Sequence, residues 1–88
     1  MDLEARGEYD WTPLHWAAYD GHLSVVLYLC EQGADKKATS GGDEWTPLHY
    51  AAHKGHLPVV QYLCEQGADK NARDDDDKTP QGLLGSRQ

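Results

Sequence analysis

The chain has 88 residues, enough for one domain with a limited core. Hydrophobic residues make up 39% and Phe is absent, so the core must come from Leu, Val, Ala, Tyr and Trp. A formal net charge of -7 argues against general affinity for phosphate backbones, and no apolar run reaches the length of a membrane span, so neither nucleic acid nor membrane is an expected partner.

The opening residues "MDLEARGEYD" lack the basic start and apolar stretch of a secretory signal. With two cysteines, Cys30 and Cys64, the expected setting is reducing and intracellular, the cytoplasm first and the nucleus as the alternative.

From residue 11 the chain reads "WTPLHWAAYDGHLSVVLYLCEQGAD", and from residue 45, an offset of 34 (45 minus 11), it reads "WTPLHYAAHKGHLPVVQYLCEQGAD". Thr12 is a good N-cap, and Pro13 suits the first helical position, where its missing N–H would be unpaired anyway. A short helix is expected from Pro13 to about Tyr19, stopped by Gly21, and a second from Leu23 to Glu31, ended by a left-handed Gly33. Leu23, Val26 and Cys30 share one face of that helix, and Val25 and Leu29 widen it. Thr46, Pro47 to about His53, Gly55, Leu57 to Glu65 and Gly67 repeat the pattern. Ala17, Ala18, Ala51 and Ala52 are small enough for helices to approach closely. Each helix pair has more apolar face than it can cover alone, so the two are expected to stack.

The second copy holds three histidines, His49, His53 and His56, and a spacing of four on a helix is how zinc proteases grip their metal. Here the first copy has Tyr19 in place of His53, and no Glu follows His49 to serve as a base. Two histidines leave zinc short of protein ligands. No metal site is expected, and the repeated histidines are read as structural.

"TPLHWAA" and "TPLHYAA", each followed by "GHL", "VV" and "GAD", resemble the ankyrin repeat over roughly residues 2–80. The resemblance implies an all-α ankyrin-repeat solenoid: two full helix-turn-helix repeats with β-turn fingers and partial flanking repeats. The expected division is 1–10 as tail and finger of a preceding partial repeat, 11–43 as repeat one, 44–76 as repeat two, and 77–88 as a truncated third. It also implies that His15 and His49 bond back to Thr12 and Thr46, and that His22 and His56 tie down the loop between helices. Cys30 and Cys64, one repeat apart, should be too distant for a disulfide, reduced and largely buried. Asp10, Glu44 and Asp77 stand where the family's finger usually carries Gly. Asp tolerates a left-handed backbone better than Glu, and Gly41 and Gly42 are expected to take over the turn before Glu44.

In this family the scaffold repeats and the binding positions vary. The copies differ at Trp16/Tyr50, Tyr19/His53, Asp20/Lys54, Ser24/Pro58 and Leu27/Gln61. The resemblance puts Tyr19, Asp20, His53 and Lys54 at the concave groove, with Tyr9, Trp11, Asp43, Trp45, Asp76 and Lys78 on or near the finger tips. This mixture of aromatics and both charges suits a protein partner of unknown identity. Trp11 and Trp45 have a second reading, as covers for the neighbouring unit's edge.

The run "DDDDK", 74–78, resembles an enteropeptidase recognition sequence, although the repeat register already expects an acidic turn there. It fails as a calcium loop, because Lys78 and Thr79 fall where a ligand and the turn Gly belong. No nucleophile stands beside a base and no phosphate loop is present, so neither catalysis nor a cofactor is expected. The alternative to partner binding is a structural or regulatory segment of a longer array, or a self-associating pair, with Leu14, Ala17, Val25 and Leu29 on one exposed end face or their second-unit equivalents, Leu48, Ala51, Val59 and Leu63, on the other.

Overall fold

A computed structural model describes residues 7, 10–41, 44–74, 77–80 and 82. Among the described residues four bounded helices follow in order: α1 (Pro13–Asp20), α2 (Leu23–Glu31), α3 (Pro47–Lys54) and α4 (Leu57–Glu65). No strand occurs among the described residues, and none of their helices is long and apolar enough to cross a membrane. α1 and α3 run one residue beyond the expected ends, and α2 and α4 match them. The architecture is the ankyrin-type solenoid that the repeats imply. α1 packs back on α2 and α3 on α4, and the two hairpins stack α1 on α3 and α2 on α4.

Thr12 and Thr46 cap α1 and α3 through reciprocal bonds with the histidine three residues on. The Thr12 hydroxyl accepts the His15 amide, while the Thr12 amide donates to His15 Nδ1 at 3.0 Å. Nδ1 is therefore an acceptor, and the ring proton sits on Nε2. That proton goes to the carbonyl of Trp45 in the next finger, at 3.0 Å. His49 repeats the arrangement, accepting from the Thr46 amide and donating to the Lys78 carbonyl at 3.1 Å. Both imidazoles are fully buried.

His56 makes a second bridge, donating Nε2–H to the Tyr19 carbonyl of the preceding hairpin at 3.0 Å. Its ring lies against Gly21, where a Cβ would come within 2.6 Å of Nδ1. Gly21 is thus required twice, by its left-handed φ of 76° and by this close approach. The expectation that both loop histidines tie down their own loops needs correction. His56 ties down the loop of the hairpin before it, and His22 is exposed beside Asp20.

The core consists of Leu14, Leu48, Val26, Val59, Leu29 and Leu63 with the interfacial alanines. Leu14, Ala17 and Leu29 are buried in it, so of the four residues expected on the first end face only Val25 is exposed, and the second-unit equivalents Leu48, Ala51, Val59 and Leu63 are all buried. Cys30 and Cys64 are free and half-buried, less covered than expected. Burial pushes the Cys30 thiol up, against an opposing pull from Lys36, so it stays protonated at neutral pH.

The fingers close by repeated backbone bonds: Gly7 to Trp11, Ser40 to Trp45 and Asp74 to Lys78, each amide donating to the later carbonyl at 3.2, 2.9 and 3.0 Å. Asp10, Glu44 and Asp77 are left-handed, with φ of 60°, 59° and 66°. Gly41 therefore does not relieve Glu44, and Gly42 lies outside the described residues. Position relative to the capping Thr, rather than the nearest glycine, decides which residue turns.

Two outcomes are expected in urea unfolding. His56→Ala should cost about 2–4 kcal/mol, because it empties a packed site and strands the Tyr19 carbonyl, whereas His22→Ala should stay within about 0.5 kcal/mol. Equal effects would refute the bridging role. Glu44→Gly should raise stability by roughly 0.5–1 kcal/mol by removing left-handed strain, and a loss would refute the strain.

Candidate functional site

The C-terminal ends of α1 and α3 and the fingers beside them carry a continuous band of aromatic rings. Trp11 anchors its first half, with ring centroids 4.3 Å from Trp16, 5.2 Å from Tyr19 and 4.5 Å from Tyr50. Tyr50 is buried, and its hydroxyl pairs with the Ser40 hydroxyl at 2.8 Å. Trp45 anchors the second half: it stacks on His49 and meets Tyr50 and His53 edge-on at 5.0 and 5.2 Å.

The Trp45 indole is fixed from the third finger. Its Nε1–H donates to Asp74 Oδ2 at 2.6 Å, and Asp74 Oδ1 accepts the Lys78 amide at 2.8 Å. Asp74 is buried, so its carboxylate is held by donors rather than by water. Residues 74 and 78 of the acidic run are thereby part of a closed turn. Both backbone groups of Lys78 are engaged, the amide with Asp74 and the carbonyl with His49.

Of the expected site residues, Tyr9, Asp43 and Asp76 lie outside the described residues. Trp11, Tyr19 and Trp45 are half-buried. Asp20, His53, Lys54 and Lys78 are exposed. Lys54 reaches back from α3 to set its ammonium 4.8 Å from the Tyr19 ring centroid, a cation–π contact between the two variable positions. Trp11 covers the neighbouring unit's edge at Tyr50, whereas the Trp45 ring meets His49, Tyr50 and His53 of its own unit, and both tryptophans are half-buried.

Sequence reasoning left Trp16, Tyr50 and Asp74 out of the site, and Tyr50 is the ring on which both halves of the band meet. Trp16 is 39% exposed and packs on Trp11, and Asp74 orients Trp45. Trp16 was visible as a position that differs between the copies, whereas the Asp74–indole contact spans 29 residues and had no local signal.

Metal chemistry finds no purchase at the histidine pair. Both nitrogens of His49 are engaged, Nδ1 with Thr46 and Nε2 with Lys78. Among the described residues no three His, Cys, Asp or Glu side chains gather as a candidate metal site.

Comparison with known proteins agrees with this geometry. The family model described as "Ankyrin repeats (3 copies)" matches residues 1–74. Human protein phosphatase 1 regulatory subunit 27 is 46% identical over 39 residues, 44% of this chain and 25% of that protein. Human ankyrin repeat domain-containing protein 49 is 50% identical over 38 residues, 43% of this chain and 16% of that protein. Mouse palmitoyltransferase ZDHHC17 is 49% identical over 35 residues, 40% of this chain and 6% of that protein. The matched stretch is thus a quarter or less of each of these relatives.

Asp74→Ala should cost about 1–3 kcal/mol, through the stranded indole N–H and Lys78 amide, and should speed hydrogen exchange at Lys78. Unchanged exchange at Lys78 would show that the carboxylate does not hold the finger.

Proposed function

We propose, for a chain that belongs to the ankyrin-repeat family, that the band along α1, α3 and the fingers is a non-enzymatic recognition surface for another protein. The observation that carries this reading is where the duplicates differ. The copies from 11–35 and 45–69 match at almost every position, yet Tyr19/His53 and Asp20/Lys54 change side-chain chemistry side by side. Packing accounts for the positions that match, since the alanines, leucines and capping histidines are buried. It gives no reason for a Tyr–Asp pair to become His–Lys where three of those four side chains are exposed.

The division of labour follows from the chemistry. The half-open rings of Trp11, Tyr19 and Trp45 offer flat apolar area with few rotamers to freeze, which suits them as anchors. Asp20 and Glu44 would take basic groups of the partner, and Lys54 and Lys78 acidic ones, setting register more than affinity. Tyr9, Asp43 and Asp76 extend the same surface on the sequence register alone. Ankyrin repeats generally serve as protein-interaction modules, and one relative is named a regulatory subunit of protein phosphatase 1. That supports the class of function. Neither a nucleic acid nor a membrane belongs to this reading, in keeping with the net charge of -7.

The test uses the exposed charges, which can be changed without disturbing the core. Immobilised chain should capture a protein partner from a cell extract, and the double reversal Asp20→Lys with Lys54→Glu should weaken capture at least tenfold at an unchanged thermal midpoint. Capture indifferent to the reversal, with folding intact, would reject the groove as the binding face.

A further inference from the structure

The first hairpin carries an open groove of about 660 Å³, with Trp11, Trp16, Asp20, His22, Val25 and Tyr28 among its walls. Trp16, Val25 and Tyr28 are exposed there at 39%, 44% and 51%. Among the described residues that line it, Asp20 holds the one carboxylate and none is Lys or Arg. Trp16 and Asp20 are four apart on α1, so the indole and the carboxylate share one face of that helix. The carboxylate is exposed, with His22 Nε2 4.0 Å from it. Both residues stand where the copies differ: the second hairpin has Tyr50 for Trp16 and Lys54 for Asp20. The band already holds one cation on an aromatic face, since the Lys54 ammonium lies 4.8 Å from the Tyr19 ring centroid. An indole is a better seat for a cation than a phenol ring.

We propose that Trp16 and Asp20 form a seat for an arginine side chain of a protein partner. The charge in the groove selects the occupant. A wholly apolar side chain would cover the Asp20 carboxylate without pairing it, at the cost of its hydration. An anionic one would be repelled by it. The guanidinium suits both groups, because its plane stacks on the indole while its fork of N–H donors meets the carboxylate. Its stem is apolar, and Val25 and Tyr28 offer that stem a wall to lie along. Lysine brings the same charge as a point, with neither the plane nor the fork. In the second hairpin Lys54 takes the place of the carboxylate, so the seat belongs to the first hairpin alone. This inference rests on the reading above that Asp20 faces a partner, and it adds the side chain that Asp20 selects.

The test displays short random peptides on phage, in three libraries with a fixed central Arg, Lys or Gln, and selects each on the immobilised full chain. The Arg library should enrich about tenfold over the Gln library, with the Lys library between them. On Asp20→Asn, and on Trp16→Leu where its thermal midpoint shows it folded, the Arg advantage should fall below about threefold. Asp20 is exposed, so its variant keeps the fold and decides the matter by itself. Equal enrichment of the Arg and Gln libraries, a Lys library that outdoes the Arg one, or an Arg advantage that survives in Asp20→Asn overturns the seat and leaves the wider recognition surface standing. Failure of all three libraries to enrich overturns the seat and the recognition reading together.

Discussion

The fold depends on an imidazole used at both of its nitrogens. In His15 and His49 one nitrogen closes the cap of its own helix and the other holds the carbonyl of the next finger. A short helix of eight residues has little independent stability, and its unpaired N-terminal amides are a large share of its backbone. The histidine removes part of that deficit and makes helix entry conditional on the following finger being in place. Local and long-range order are thereby coupled through one ring, which is how two hairpins, each unable to bury its own face, become a single cooperative unit.

The same coupling positions the site. Trp45 is fixed in three directions: its backbone carbonyl by His15, its ring by His49, and its indole N–H by Asp74. The groove aromatics are thus held by groups that belong to the scaffold, and the exposed residues beside them are left to vary. Lys54 over Tyr19 joins two variable positions directly across the two repeats. Changing one member alters the electrostatics of both hairpins at the groove without touching a core contact.

What the sequence made legible follows the range of the interactions. Helix starts were readable because Thr, Pro and His act within a turn, and the stops at Gly21 and Gly55 because left-handed geometry is a property of the residue itself. The bridges from His15 to Trp45 and from His56 to Tyr19 were not, since their acceptors are backbone carbonyls 30 and 37 residues away, and any residue carries a carbonyl. Glu44 misled for a related reason. The inserted glycines suggested local relief, but the bond from Ser40 to the Trp45 carbonyl pins the finger by its distance from Thr46, which leaves Glu44 at the left-handed position. The candidate groove was visible as a pattern of differences between copies, and Asp74 escaped because its role is defined only by the indole it meets.

Asymmetry between the two ends is the last consequence of near-duplication. If both hairpins were identical, their outer faces would be equally apolar in sequence. The exchange of half-buried Leu27 for Gln61, exposed and donating to Glu65, breaks that equality. No matching exchange occurs on the other side. Val25 and Val59 are the same residue, as are Tyr28 and Tyr62, although one of each pair is open to water. Trp16 even enlarges the ring that Tyr50 presents. The α1–α2 face thus keeps open to water the apolar side chains that the α3–α4 hairpin holds buried or half-buried.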